Sequence, residues 1–254
     1  MTKAAHWPGA LLVVMLAGQT TVGFWVSLTV TVKAQLSLLL QASVATHLTE
    51  VIKQHAYELL TRQEIKNLID NLKARVPALV EEVIPTQIKP GELQKVMQNL
   101  LRERVPVRDL ETIVETLGDF TSRTKDLDVL TEYVRNALSR TICKLYVDES
   151  DKLWCVTLDP ALEDFINGHI ERSERGAMST MPPQTQQQIV QQVAEKTAEL
   201  TQTGRSAVVL CSPVIRAMLR RMIESSLPQT AVLAYNEVAP QVAVEAVAMV
   251  GMSG

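Results

Sequence analysis

The stretch AVVLCSPVIRAMLRRMIESSLPQTAVLA, residues 207–234, decides the fold class of this sequence. It begins with a short apolar run typical of a buried strand, and Ser212-Pro213 follows as a helix N-cap and first helical residue. Apolar residues then recur at helical spacing, namely Ile215, Met218, Leu219, Met222 and Ile223. A second apolar run ends the stretch. The sequence therefore predicts one parallel strand–helix–strand crossover.

Further apolar runs on both sides of this stretch predict more strands. Residues 143–147 and 153–158 alternate at a period of about two, and the polar residues 148–152 between them have the length of a hairpin turn. Residues 242–250 form another apolar run. An antiparallel hairpin beside a parallel crossover gives a mixed sheet, which we expect in a small α/β subdomain at residues 139–254.

The sequence before residue 142 shows helical periodicity instead. The first helix is expected at residues 46–60, with an apolar face that is buried and consists of Leu48, Val51, Ile52 and Leu59. Thr61 stands three residues before Glu64, which is the spacing of a capping box and predicts that a second helix begins there. Gly118 follows a long apolar stripe and is expected just after the end of a helix.

These patterns predict an α+β fold, with a helical subdomain at residues 43–138 followed by the α/β subdomain. With 254 residues the chain exceeds the usual length of a single domain, which agrees with two subdomains and a further segment.

The first 42 residues differ from the remainder of the chain. Residues 9–32 are uncharged, lie between Lys3 and Lys33, and are numerous enough to cross a bilayer as a helix. The polar run from Gly18 to Thr21 at the centre weakens this interpretation. We therefore describe residues 1–42 as an atypical apolar leader, which is a membrane span, a signal peptide or the product of a start-site or reading-frame artefact.

Composition argues against several classes of function. A net charge of −3 and a pI near 5.9 provide no attraction to nucleic acid, and a 4% aromatic content leaves few platforms for base stacking. Three cysteines at spacings unlike a zinc motif indicate reduced thiols. The sequence has no glycine-rich phosphate loop and no metal-binding histidine motif, so we expect no cofactor and no metal.

One short motif permits an enzymatic hypothesis. Cys211 lies at a predicted strand end just before a helix N-terminus, which is a position that favours a thiolate, and Arg216 follows after four intervening residues. Phosphatase-like loops have five residues between these two, together with glycines that are absent here. A small cysteine-based enzyme using Cys211 and Arg216 is therefore kept as the alternative, and a buried strand cysteine before an ordinary cap is the simpler interpretation.

Two groups of arginines are candidates for protein contact. The first surrounds the Val105-Pro106 break and the second lies on the predicted helix after Ser212. Arginine is favoured at interfaces because its planar group pairs with carboxylates, although solvated surface side chains would give the same pattern. The candidate interface residues are Arg102, Arg104, Arg108, Arg216 and Arg220.

Five blocks of sequence carry a family resemblance. They are VATHLTEVIKQHAYELLTRQ (44–63), NLLRERVPVRD (99–109), RTKDLDVLTEYVRNAL (123–138), VLCSPVIR (209–216) and AYNEVAP (234–240). Their sequences and their order closely resemble the FlhA family, the export gate of the flagellar type III secretion apparatus. The match covers the third and fourth subdomains of the family's cytosolic part.

The resemblance implies a component of a type III export gate that has no enzymatic activity and forms a ring with other copies. It also implies docking of export substrates, their chaperones and the export ATPase complex, without a nucleic-acid or small-molecule substrate. The expected location is the cytoplasmic face of the bacterial inner membrane. The family's multi-helix membrane region and first two cytosolic subdomains have no counterpart here, and residues 1–42 do not resemble the family, so the sequence is expected to be a truncated copy.

Overall fold

The computed structural model describes residues 47–173 and 176–251. The chain divides into two compact units, residues 1–51 and 52–254. Within the first unit the described residues, 47–51, are helical. The predicted leader at residues 1–42 lies outside the described residues. A search of the described residues found no helix that is long and apolar enough to span a membrane.

The N-terminal part of the second unit is helical. After residues 52–54, which are also helical, its helices are α1 (Ala56–Leu59), α2 (Arg62–Arg75), α3 (Pro77–Val83), α4 (Pro90–Arg102), α5 (Leu110–Phe120), α6 (Leu127–Ala137) and α7 (Ser139–Cys143). The predicted start at Thr61 is confirmed, because its hydroxyl accepts a hydrogen bond from the backbone N–H of Glu64 at 3.2 Å. Asp109 and Asp126 cap α5 and α6 in the same way. Side-chain acceptors at these positions satisfy N–H groups that have no partner within the helix.

The core of this part forms around α4 and α5. Leu93, Val96, Met97 and Leu100 are fully buried on one side of α4, and Ile113, Val114 and Leu117 are buried on α5. Both sets follow the spacing of an amphipathic helix, as the sequence predicts.

The predicted first helix differs from the structure in two respects. A turn at His55 separates the helical residues 47–54 from α1. The apolar face expected to be buried is exposed at Leu48, Val51, Ile52 and Leu59. Helical periodicity identifies an apolar face but does not reveal whether a neighbouring element covers it, and this is why the prediction was wrong.

Gly118 is a second local correction, because it lies inside α5 and not after its end. A Cβ atom placed on Gly118 would lie 2.8 Å from Cγ2 of Val83 on α3. Glycine is therefore required here by the close approach of two helices, and the helix continues to Phe120.

The C-terminal part contains a sheet with helices. Its elements are β1 (Lys152–Leu158), α8 (Pro160–Gly168), β2 (Ile170–Ser173), β3 (Gly176–Ser179), α9 (Pro183–Gln202), β4 (Val208–Cys211), α10 (Pro213–Ile223), β5 (Ala231–Ala234), a 3₁₀ turn (Tyr235–Glu237) and β6 (Ala243–Val250). The strand order of the main sheet is β5-β4-β1-β6, and β2 pairs with β3 in a separate ribbon. The α+β class and the crossover from β4 through α10 to β5 are confirmed.

The sheet was expected to be mixed, and this detail is corrected, since all pairs of the four-stranded sheet are parallel. Of the predicted hairpin only an isolated antiparallel bridge between Val147 and Leu153 exists. Ile142 and Cys143 are buried side chains of a helical turn that continues from α6, so no first strand forms. Asp148 then accepts backbone hydrogen bonds from Ser150 and Lys152 and turns the chain into β1.

The sheet lies between two layers of apolar side chains. One core cluster joins the helical part to sheet residues such as Leu153, Val208, Leu210 and Leu233. The other cluster joins alternate sheet residues to α8, α9 and α10. Because the first cluster crosses residue 138, the two predicted subdomains share a core, and their boundary stays a prediction.

Candidate functional site

The five candidate interface arginines have three different environments. Arg216 and Arg220 are buried, with 1% and 7% of their surface exposed. Arg102 and Arg104 are half-buried, and Arg108 is exposed. The assignment of Arg216 and Arg220 to an exposed docking surface is therefore corrected, because both guanidinium groups lie inside the chain's own core.

The three arginines near residue 105 lie where α4 ends. The backbone N–H of Val105 donates to the carbonyl of Leu100, and that of Arg104 donates to Leu101, which together form a Schellman motif. Arg104 is the left-handed residue of this motif, with φ of 60°. Glycine is the usual residue there, because a Cβ atom makes this conformation unfavourable by about 1 kcal/mol.

Arg102 contacts residues of the helical part. Its guanidinium lies 4.8 Å from the ring centroid of Tyr57 and donates to Asn99 Oδ1 at 2.9 Å. The ring contact is a cation–π interaction, which holds the arginine side chain over α1.

Arg216 joins the helical part to the α/β part. It lies in the first turns of α10, whose N-cap is Ser212 as the sequence predicts. Its Nη1 and Nη2 donate to the two carboxylate oxygens of Glu103 at 2.6 and 3.1 Å. Its Nε donates to Glu132 at 2.5 Å, and Nη2 contacts the other oxygen of the same carboxylate. One guanidinium therefore makes two bidentate ion pairs with the helical part.

Arg135 on α6 completes the network. Its Nε and Nη2 donate to Glu237 at 2.7 and 3.0 Å, and its Nη1 donates to Glu103 at 3.1 Å. Glu237 in turn accepts a hydrogen bond from the backbone N–H of Ala234 at the end of β5. We call Glu103, Glu132, Arg135, Arg216 and Glu237 the junction cluster, because its members come from both parts of the fold.

The electrostatics of the junction cluster favour the charged forms of Glu103 and Arg216, whereas burial raises the pKa of Glu132 in spite of its pair with Arg216. Burial alone would raise the pKa of Glu103, but the guanidinium groups of Arg216 and Arg135 lower this pKa to about 2. Burial alone would lower the pKa of Arg216, whereas Glu103 and Glu132 hold it well above the ordinary value. Within the described residues every buried side-chain nitrogen and oxygen atom has a hydrogen-bond partner. The cluster is thus a satisfied structural network that fixes α10 against α4 and α6.

The cysteine-enzyme hypothesis finds no support in this geometry. Cys211 is fully buried at the end of β4, and burial raises the pKa of its thiol, which favours the unreactive protonated form. The guanidinium of Arg216 is already paired with the carboxylates of Glu103 and Glu132. Cys143 and Cys155 are buried free thiols as well. Over residues 47–173 and 176–251 no cluster of side chains is suited to a metal ion.

Two clefts share an ion pair in their linings, which Asp128 on α6 forms with Arg221 on α10. The first, of about 340 Å³, is lined mainly by charged and polar side chains, including Lys95, Glu103, Glu132 and Glu224. The second, of about 370 Å³, has a mainly apolar lining that includes Val129, Tyr133, Ile170, Val214 and Met218. The sequence analysis missed the second cleft, although the exposed Val129 and Val214 lie outside the buried stripes of their helices.

Comparison with known proteins extends these observations. A model of the FHIPEP family matches residues 25–243. The flagellar biosynthesis protein FlhA of Bacillus subtilis is 41% identical over 207 residues, which cover 82% of this chain and 31% of that protein. The resemblance to the FlhA family is thereby confirmed. The family match begins at residue 25, so the expectation that residues 1–42 do not resemble the family is corrected for residues 25–42. The bounds of the leader stay a prediction.

Solved structures show the same fold. The CdsV protein of Chlamydia pneumoniae matches with a TM-score of 0.76 and 27% identity, over 82% of this chain and 59% of that chain. Nonameric SctV-C of EPEC matches with a TM-score of 0.74 and 28% identity, over 82% of this chain and 62% of that one. CdsV in complex with CdsO matches with a TM-score of 0.72 and 25% identity, over 82% of this chain and 61% of that chain. The chain spans only about a third of the FlhA relative's length, at 31%.

Proposed function

Because this chain belongs to the FHIPEP family, we propose that it is the ring-forming and partner-docking cytosolic part of a flagellar type III protein-export gate. The observation that carries the proposal is the 41% identity to a flagellar FlhA protein over 82% of this chain. In this proposal the chain has no enzymatic activity and acts on the cytoplasmic face of the inner membrane.

The nonameric state of SctV-C supports a ring of identical copies. In such a ring each copy uses two different patches, because a cyclic assembly is built from head-to-tail contacts. We place one patch at Arg102, Arg104 and Arg108. Arg104 keeps a left-handed conformation that glycine would adopt more easily, which suggests that its side chain has a use beyond ending α4. Arg108 is exposed beside it.

The solved complex of CdsV with CdsO supports a docking role toward other proteins. We propose that this chain contacts the export substrates, their chaperones and the export ATPase complex. Arg216 and Arg220 do not take part directly, since both are buried. Their role in docking is indirect, because the junction cluster holds the two parts of the fold in one arrangement.

Sedimentation velocity of the full chain tests the ring-forming part of the proposal. We expect species larger than the monomer at high protein concentration. The double substitution Arg104→Glu and Arg108→Glu should decrease this association, because it reverses two charges at an interface. The matched control is Arg62→Glu with Lys66→Glu, which changes net charge equally on the exposed side of α2. Thermal unfolding midpoints of both variants should stay close to that of the unaltered chain.

Two results would contradict the proposal. A chain that remains monomeric at every concentration does not form a ring by itself. Equal association of the two double variants would show that the arginines after α4 are solvated side chains outside the contact.

A further inference from the structure

Strand β6 lies at the edge of the four-stranded sheet. It pairs with β1 over seven residue pairs, and no strand of the described part of the chain pairs with its other side. An edge strand presents backbone N–H and C=O groups that another strand can satisfy.

The direction of these groups follows from two hydrogen bonds. The N–H of Ala243 donates to the carbonyl of Asp151, and the carbonyl of Val250 accepts from the N–H of Asp159. Both ends of β6 therefore turn their backbone groups toward β1. Successive residues of a strand alternate, so Val244 and Met249, each next to an end, turn their N–H and C=O groups away from the sheet.

The side chains along this edge are apolar and accessible. Val244, Val247 and Met249 expose 43%, 40% and 55% of their surface. The segment AVEAVAMV contains no proline and no lysine, and its one charged residue, Glu245, is paired with Lys152 at 2.9 Å. Natural edge strands are usually protected by lysine, proline or inward-facing charges. β6 does carry one protective feature, a bulge near Val247 where the register with β1 shifts, so the regular edge consists of a segment on each side of Val247.

We propose that the outer edge of β6 binds an extended segment of a partner protein, which adds a further strand with apolar residues at alternate positions. Two kinds of groups lie along this edge, namely backbone groups that no described strand pairs and exposed apolar side chains. A helix or a globular surface satisfies only the side chains, whereas an extended peptide satisfies both. The inference rests on the proposed docking function in one respect, which is that a docking partner supplies the peptide.

In a ring of identical copies, strand β6 of a second copy fits the β6 edge less well than a partner peptide does. Pairing of one β6 edge with another would require a two-fold axis between the copies. A cyclic ring of nine copies, the number found in nonameric SctV-C, has no two-fold axis. Pairing between two β6 edges therefore does not build such a ring, and a segment with a different sequence is the occupant that we propose.

The test measures binding of a short fluorescent peptide of alternating valine and threonine, with a lysine at each end for solubility, by anisotropy on the full chain. A second peptide has the same side chains but carries N-methyl groups on alternate amides, which removes its strand-pairing donors. We expect the first peptide to bind and to slow amide hydrogen exchange in β6, and the methylated peptide to bind at least about tenfold more weakly, a difference of about 1.4 kcal/mol.

Substitutions of the protein provide the second comparison. Val244→Lys with Met249→Lys places two charges on exposed positions of the edge and should weaken binding by a similar factor, with the unfolding midpoint unchanged. Leu145→Lys with Met178→Lys is the matched control, because these side chains are also exposed and apolar but lie elsewhere. It should bind the peptide as the unaltered chain does.

Three other outcomes would contradict the β6 proposal or separate it from the ring-forming function. Equal binding of both peptides, or of the unaltered chain and the edge variant, would overturn the proposal in favour of nonspecific apolar adsorption. If the edge substitutions abolished self-association and the peptide did not bind, the occupant would be a second copy and the proposal would be wrong. Peptide binding by a chain that stays monomeric would support the β6 inference while contradicting the ring-forming function.

Discussion

Replacement of Arg216 by methionine tests whether the junction cluster stabilises the fold. Methionine is similar in length to arginine and apolar, so it fills much of the same space without the charge. The substitution leaves Glu132 without its guanidinium partner, while Glu103 retains only Arg135. Both carboxylates lie mainly buried, with 28% and 17% of their side chains exposed.

The expected cost is large for a single substitution. Removal of one partner of a buried ion pair costs about 3–5 kcal/mol, because the remaining charge stays away from water. A second argument gives a similar value. The pKa of Glu103 is lowered from its ordinary 4.5 to about 2, which corresponds to about 3 kcal/mol of net stabilisation of the carboxylate by Arg216 and Arg135 after the opposing effect of burial. We therefore expect Arg216→Met to reduce the free energy of unfolding by about 3 kcal/mol at pH 7.

The pH dependence distinguishes lost charge pairing from lost packing. A carboxylate with a lowered pKa stabilises the unaltered protein above its ordinary pKa, and this contribution disappears as pH falls from 4.5 toward 2. In the variant, Glu103 and Glu132 are buried with less compensation, so their protonation in acid relieves the cost. The difference in unfolding free energy between the two proteins should therefore be largest at pH 7 and smaller at pH 4.

Urea unfolding of the full chain at pH 7 and pH 4, followed by circular dichroism, measures this difference. Arg221→Met is the matched control on the same helix, since Arg221 pairs with Asp128 at the surface and an exposed pair contributes at most about 1 kcal/mol. A loss below about 1 kcal/mol for Arg216→Met at pH 7 would refute the assigned role. An equal loss at both pH values would assign the effect to packing.

Two further predictions concern the helical core. Leu100→Ala should destabilise the chain by about 2–5 kcal/mol in the same urea assay, because Leu100 is fully buried in α4; a loss below about 0.5 kcal/mol would contradict its central position. Gly118→Ala should also be destabilising, since its Cβ would lie 2.8 Å from Val83, although the same change in an open helix stabilises by about 1 kcal/mol. Stabilisation would show that Val83 moves aside easily.

Local signals in the sequence predicted much of the fold. The caps at Thr61 and Ser212 were identified because a hydroxyl side chain before an apolar helical pattern satisfies backbone N–H groups nearby in the chain. The parallel crossover after residue 207 was predicted because a buried strand, a helix and a second strand followed each other without interruption. The absence of a first hairpin strand was not predicted, since the short apolar pattern of residues 143–147 suits a helix end followed by a turn as well as a strand.

The candidate site depends on contacts between distant residues, and the sequence alone predicted it poorly. Arg216 lies 113 residues from Glu103 and 84 from Glu132, so no local pattern revealed that its charge is compensated in the core. The sequence did contain a weak indication that two of the arginines are buried. Arg216 and Arg220 each follow a buried residue of the α10 stripe and lie four residues apart, which places them beside the core face. Arg216 and Arg220 were predicted to be exposed because arginine is seldom buried without a partner.

The junction cluster is mainly buried and the β6 edge is exposed, so a loss of function on substitution has a different cause in each. Inside the fold, every charge of the cluster has a partner, so a reversal of Arg216 would unfold the chain and thereby impair the proposed docking. At the β6 edge, exposed apolar side chains and outward backbone groups lie where substitution leaves the core intact. A screen that reverses arginines and measures only export would therefore assign buried residues to an interface. Unfolding free energies measured on each variant separate the two causes, and we expect them to exclude Arg216 while retaining Val244 and Met249 as contact residues.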